Sequence, residues 1–133
     1  MIILSCVDDK FGLTFNKRRQ SRDRVVTERI CEITKGNRLY VNPFSEKLFE
    51  GKGIIVSDNL FDEAKTGDFV FIENIEIKDF SSVEKIILFF WNTVYPSDFK
   101  FSLPENFIEI KRKDFQGFSH KKITEVEYEK KKD

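Results

Sequence analysis

The sequence is poor in the residues that catalytic metals need. It has one histidine, His120, and two cysteines, Cys6 and Cys31. Neither cysteine belongs to a CxxC or Cys/His pattern, so zinc sites, redox pairs and a disulfide framework are all excluded. Both are expected as buried free thiols, and no resident metal is expected. Net charge is also missing. The 23 Lys and Arg offset the 23 Asp and Glu, so no global field points to nucleic acid or an anionic membrane, and any such partner must be argued locally. No apolar run is long enough to span a bilayer. The opening Ile2-Ile3-Leu4 run is too short and lacks the basic lead of a signal peptide, so no membrane partner and a cytoplasmic location are expected. There is no P-loop, GxGxxG or GxSxG, and no internal repeat or linker.

Short apolar segments make up much of the rest. The 15 Phe, with abundant Lys, Ile and Asn, fit the codon bias of an AT-rich bacterial genome, which informs ancestry rather than mechanism. With 133 residues the chain suits one hydrophobic core, so a single domain over 1–133 is expected, its tail frayed from about 129 to 133. Strands are predicted at Ile2 to Val7, Arg38 to Val41, Gly53 to Ser57, Asp68 to Glu73 and Glu84 to Trp91, each a compact apolar run closed by polar or turn residues. Val26, Ile30 and Ile33 recur at helical spacing, with Ser21 as the predicted N-cap and Gly36 as the C-cap. Ser45 can cap a single turn through Phe49, Asn59 to Ala64 reads as helix, and Lys10 to Gln20 reads as a loop. Phe107 to Lys113 and Lys121 to Tyr128 alternate apolar and charged residues around Gln116-Gly117, the pattern of an antiparallel hairpin. These elements define an α/β fold class: a mainly parallel central sheet with helices on its faces and a C-terminal antiparallel hairpin.

Ligands of parallel sheets settle at the carboxyl ends of the strands. The predicted strand ends bring Asp8, Asn42, Asp58 and Asn92 to one edge, where they would bind a magnesium ion or a heterocycle, or simply stop strands and cap the next element. The segment Lys17 to Arg24 packs five cations and one anion into eight positions before a helix. Arg18, Arg19, Arg22 and Arg24 would pair with phosphate or an RNA backbone, or with the carboxylates of Asp8, Asp9 and Asp58. His120, between Ser119 and Lys121, is expected to be exposed and without a catalytic part. A Ser-His-Asp set is arithmetically possible, but no elbow motif supports it. Trp91, after Phe89 and Phe90, is expected in the core.

Several of these residues are similar to stretches of the dihydrofolate reductase fold. Val7-Asp8 followed by Gly12 resembles the end of that family's first strand and the start of its mobile loop. Ser21-Arg22-Asp23-Arg24 opens the first helix as its Pro-x-Asp/Glu pattern does. Leu39 to Ser45 resembles its second strand and phosphate-facing helix, Ile54 to Ser57 its third strand, Ile86 to Tyr95 its strand-glycine-tyrosine segment, and Phe118-Ser119-His120 its last hairpin. The resemblance puts Asp23 in the place of the acidic active-site residue and Ser45 in that of a hydroxyl facing the cofactor phosphate. It also marks departures. Phe89-Phe90-Trp91 replaces the glycine pair that admits the nicotinamide cofactor, Pro43 replaces a phosphate-binding arginine, and a further strand before the hairpin is missing. The resemblance thus implies a shortened relative without NADPH binding, and no cofactor is expected. The stretch Asp8 to Arg24 also resembles a family of small proteins of clostridia-like bacteria, some carrying a ribonuclease Z label; a single histidine cannot supply that enzyme's zinc site.

The leading expectation is a non-catalytic or catalytically degenerate domain that binds an anionic, nucleotide-like or phosphate ligand through Arg18, Arg19, Arg22, Arg24, Asn42, Ser45 and Asn92. One alternative is RNA binding or magnesium-dependent phosphodiester cleavage with Asp8, Asp23 or Asp58. Another is an interaction module that forms a homodimer through a sheet edge.

Overall fold

The computed structural model describes residues 1–132; Asp133 lies outside them, and with it the last position of the predicted frayed tail. Five parallel strands form the centre: β1 (Ile2–Val7), β4 (Leu39–Val41), β5 (Ile55–Val56), β6 (Phe69–Phe71) and β7 (Lys85–Phe90). Two longer strands, β9 (Phe107–Phe115) and β10 (Ile123–Lys130), are antiparallel to each other, and β10 is antiparallel to β7. The resulting order is β5-β4-β6-β1-β7-β10-β9. Edge strand β9 exposes Ile108 and Ile110.

Successive side chains of a strand point to opposite faces, so runs such as Ile86-Ile87-Leu88-Phe89 feed two cores at once. Ile3, Val70, Ile86, Leu88 and Val126 pack on one face, where α2 (Leu60–Glu63) contributes Leu60. Leu4, Val41, Phe71, Ile87, Phe89 and Trp91 pack on the other, against Val26 and Ile30 of α1 (Arg24–Ile33) and Phe49 of a 3-10 turn, Glu46–Phe49. Ile30→Val removes one buried methyl group there and is expected to lower the unfolding free energy by about 1 kcal/mol, read as a shifted urea midpoint with unchanged slope.

Several boundaries differ from expectation. Lys10 to Gln20 is no loop: it contains β2 (Gly12–Phe15) and β3 (Arg18–Arg19), which join β8 (Phe99–Lys100) in a small antiparallel sheet. The two-residue connection Asn16-Lys17 has both φ angles positive, 49° and 62°, which suits a tight hairpin turn. The stretch between β7 and the hairpin thus supplies a strand after all, but to the small sheet. Helix α1 is capped by Asp23, not Ser21, with the Asp23 carboxylate accepting from the Val25 N–H. Its C-cap is Thr34, whose hydroxyl donates back to the Ile30 carbonyl, and Gly36 with φ 85° lies two residues beyond. Ser45 precedes the 3-10 turn but makes no side-chain cap. The tail is held further than predicted, because β10 runs to Lys130 and the Lys131 N–H donates to the Asn106 carbonyl at 2.7 Å. Cys6 and Cys31 are free but half-buried rather than buried. Among the described residues, no helix is long and apolar enough to cross a membrane.

Candidate functional site

Four loops meet where β1, β6 and β7 end: the turn after β1, the segment from β3 into α1, the stretch after β7, and the β9–β10 connection. Asp8, just past the end of β1, is buried and ties three of them together. Its Oδ1 accepts from the N–H groups of Lys10 and Gly12, both at 2.8 Å, and its Oδ2 from the Gln20 side-chain amide and the Tyr95 N–H, both at 3.1 Å. Burial pushes its pKa up, but the Gly12, Tyr95, Lys10 and Gln20 donors outweigh that and hold it below the usual carboxylate range. Gly12 is needed for this approach, since a Cβ there would sit 2.6 Å from Gln20 Nε2 and 2.8 Å from Asp8 Oδ2. The partner-less acceptor is Gln20 Oε1, buried without a hydrogen bond among the described residues.

Asp23 binds the fourth loop. Besides capping α1 it accepts from the N–H groups of Phe118 (2.8 Å), Ser119 (2.8 Å) and His120 (3.1 Å), from the Ser119 hydroxyl, and from His120 Nδ1 at 2.9 Å. Burial again raises the pKa, and the Phe118, His120, Ser119 and Val25 donors override it, so Asp23 stays ionised far below the usual range. Gly117 permits the closure: a Cβ there would stand 2.6 Å from Asp23 Oδ2 and 2.8 Å from the His120 carbonyl.

His120 is not the exposed side chain expected. Its ring is only 11% exposed, stacks on Trp91 with centroids 4.5 Å apart, and has Ser21 Oγ at 3.0 Å and Tyr95 Oη at 3.3 Å from Nε2. Ser21, His120 and Tyr95 were not chosen together from the sequence. The signal available was weak: a serine two positions before the N-cap, and one histidine 97 residues from Asp23 in the chain.

The other strand-end residues serve local turns. Asn42 donates to Asn74 Oδ1 and accepts from the Ser45 N–H. Asn92, at φ 61°, donates to the Lys122 carbonyl and to Thr124 Oγ1, fastening the end of β7 to β10. Asp58 is exposed beyond edge strand β5, three strand spacings, or about 14 Å, from the β1 end that carries Asp8. The rim therefore gathers only some of its polar tips: Asp8 and Asn92 follow the adjacent strands β1 and β7, while Asp58 stands apart. Among the described residues no group of three or more His, Cys, Asp or Glu is placed to hold a metal ion.

The arginines divide. Arg19 is inward: Nε and Nη2 grip both oxygens of buried Glu73 at 2.8 and 2.7 Å, and Ser45 Oγ donates to the same carboxylate at 2.7 Å. Ser45 is thus turned to Glu73 rather than outward. Glu73, the lone acid after Phe69-Val70-Phe71-Ile72, was visible in the sequence but not singled out. Next to this pair, burial and then the Glu73 charge push the Cys6 thiol well above its ordinary pKa. Arg22 and Arg24 instead line an open groove of about 430 Å³ with Thr27, Lys47, Phe118 and Ser119. Arg24 lies over the Phe118 ring at 4.1 Å and reaches Glu28 only at 3.8 Å, with both side chains exposed. Arg18 lines a second groove with Phe15, Gln20, Tyr95 and Pro96.

No protein-family model matches this chain, and no curated protein is similar to it, so the likeness to the clostridial family and its ribonuclease Z label gains no support. The fold does have solved neighbours. Dihydrofolate reductase from Enterococcus faecalis, complexed with NADP(H) and RAB-propyl, superposes with a TM-score of 0.68 at 9% identity, covering 99% of this chain and 97% of that one. The chain is therefore a mixed α/β domain of dihydrofolate-reductase-like fold; at this identity the likeness concerns the fold alone.

Proposed function

We propose that this domain binds a phosphate-bearing, nucleotide-like ligand in the groove at the start of α1. The observation that carries the reading is the placement of Arg22, Arg24 and Lys47 on one open groove where the one lining carboxylate among the described residues, Asp23, is already saturated by donors. A phosphate oxygen there would meet two guanidinium forks and an ammonium, with the α1 dipole of the same sign. Phe118, exposed and already under Arg24, offers a flat apolar wall to a base or ring. A neighbour of the same fold carries NADP(H), which makes a nucleotide-like ligand compatible with this scaffold. Arg19 drops out of the ligand set because Glu73 occupies it, and Arg18 belongs to a different groove. NADPH-dependent reduction is not part of the reading: Phe89 and Trp91 are core side chains where the family keeps its glycines. Magnesium-assisted cleavage is not favoured either, since Asp8 and Asp23 are filled with N–H donors and Asp58 stands apart.

The test is titration calorimetry with pyrophosphate, adenosine diphosphate, NADP and a short RNA at low salt. Binding of the small phosphates is expected, weakening as salt screens the groove. Arg22→Gln and Lys47→Gln should each weaken it about tenfold, some 1.4 kcal/mol, with Arg18→Gln as wild type. Absence of heat with every small phosphate, or equal binding by the Arg22→Gln/Lys47→Gln double variant, would discard the groove; preference for RNA over all of them would replace the ligand class.

A further inference from the structure

The contacts around His120 form a directed line that the anion-binding reading does not use. Asp23, with its side chain fully buried, can only accept, so His120 Nδ1 at 2.9 Å carries a proton toward it. In the neutral ring this leaves Nε2 with a free lone pair, and Ser21 Oγ lies 3.0 Å from it. The ring cannot swing away, because Trp91 is stacked on one face at 4.5 Å and the His120 N–H is itself bound to Asp23. Ser21 is partly exposed, between Gln20, which lines one groove, and Arg22, which lines the other, and it lines a small cavity with Cys6, Asp23 and Trp91.

We infer that Ser21 is a nucleophile, that His120 is its general base, and that Asp23 is the positioning residue that fixes the ring, so that the domain hydrolyses small carboxylic esters. Nε2 offers one lone pair to two hydroxyls. When Ser21 uses it, the hydroxyl of Tyr95, a residue of the second groove, lies 3.3 Å from the same nitrogen and is free to donate to a developing oxyanion. The balance is complete with water as co-reactant. Ser21 Oγ bonds to the ester carbonyl carbon while its proton passes to Nε2. The carbonyl re-forms as the carbon–oxygen bond to the alcohol breaks, and Nε2–H protonates that leaving oxygen. A water then adds to the acyl-serine, its proton goes to Nε2 and on to Ser21 Oγ, and a carboxylic acid departs. The cavity that Ser21 lines has a volume of only about 10 Å³, which restricts the acyl group to small ones, such as acetyl. This inference is independent of the phosphate groove, since one is read by a covalent adduct and the other by heat of binding.

The full-length chain is incubated with a fluorophosphonate probe and, separately, with p-nitrophenyl acetate. One adduct per chain is expected, mapped to Ser21, with nitrophenolate release that Ser21→Ala abolishes. His120→Gln should slow labelling about a hundredfold or more. Tyr95→Phe, which keeps the ring, should slow turnover about tenfold. In Asp23→Asn, measured where circular dichroism reports a folded chain, the adduct should still form but slowly, because the tautomer is no longer fixed. Should His120→Gln fail to fold, Ser21→Ala and Tyr95→Phe decide. No adduct on the wild-type chain, an adduct elsewhere than Ser21, or equal labelling of Ser21→Ala overturns the inference.

Discussion

Replacing Asp23 by alanine is expected to destabilise the fold by about 3–5 kcal/mol. The carboxylate caps α1 through Val25 and accepts from the Phe118, Ser119 and His120 N–H groups as well as the His120 ring. A lost cap costs about 1 kcal/mol and each stranded buried donor about 1–3, but these losses share one site and do not add in full. Urea unfolding of Asp23→Ala reads the number. Asp23→Asn, which keeps one acceptor oxygen, should lose roughly half as much. The pH dependence has a definite sign. Because the folded-state pKa of Asp23 lies below the unfolded value near 4, its contribution is present above pH ~4 and fades as acid protonates the folded carboxylate. Asp8 is shifted the same way for the same kind of reason, so Asp23→Asn should shallow the acid limb of the stability curve rather than remove it. A loss under about 1 kcal/mol in Asp23→Ala would mean that the 117–120 loop does not depend on this clasp.

That clasp also marks the limit of what the sequence discloses. The parallel strands were legible because each is a short apolar run ending at Asp, Asn, Ser or, for β6, Glu73, and α1 because Val26 and Ile30 keep helical spacing. The hairpin of β2 and β3 was not. Its turn, Asn16-Lys17, lacks the glycine that usually announces two positive φ angles, and its second strand is two arginines with no apolar alternation. The candidate residues were found as types and missed as partners. Asp8 and Asp23 look like free acids in a string of letters, and only the loops folding onto them turn both into acceptors filled by backbone N–H groups. Local pattern reports what one segment does with its own neighbours; Ser21, Tyr95 and His120 meet through contacts spanning 25 to 99 positions, which no periodicity encodes.

Arg19→Met is expected to be as damaging as the loss of Asp23, about 3–5 kcal/mol, although Arg19 stands in a basic run that reads as surface. The reason is the partner left behind. Glu73 is 7% exposed just beyond the end of β6, and without the guanidinium its charge keeps only the Ser45 hydroxyl at 2.7 Å. Both Arg19 contacts to Glu73 are under 3 Å, Nη2 also reaches the Phe44 carbonyl at 3.3 Å, and Glu73 in turn raises the Arg19 pKa. A buried pair is worth little against an apolar replacement of similar size, so the double variant Arg19→Met/Glu73→Leu should recover most of the loss, giving a coupling of about 2–3 kcal/mol in the cycle. Being shielded from solvent, that coupling should persist in 1 M salt, where phosphate binding by the exposed Arg22 and Lys47 is screened. A coupling near zero, or one abolished by salt, would return Arg19 to the surface and to the ligand; a coupling that survives makes it the bolt that holds β3, and with it Ser21 two residues on, against the end of the central sheet.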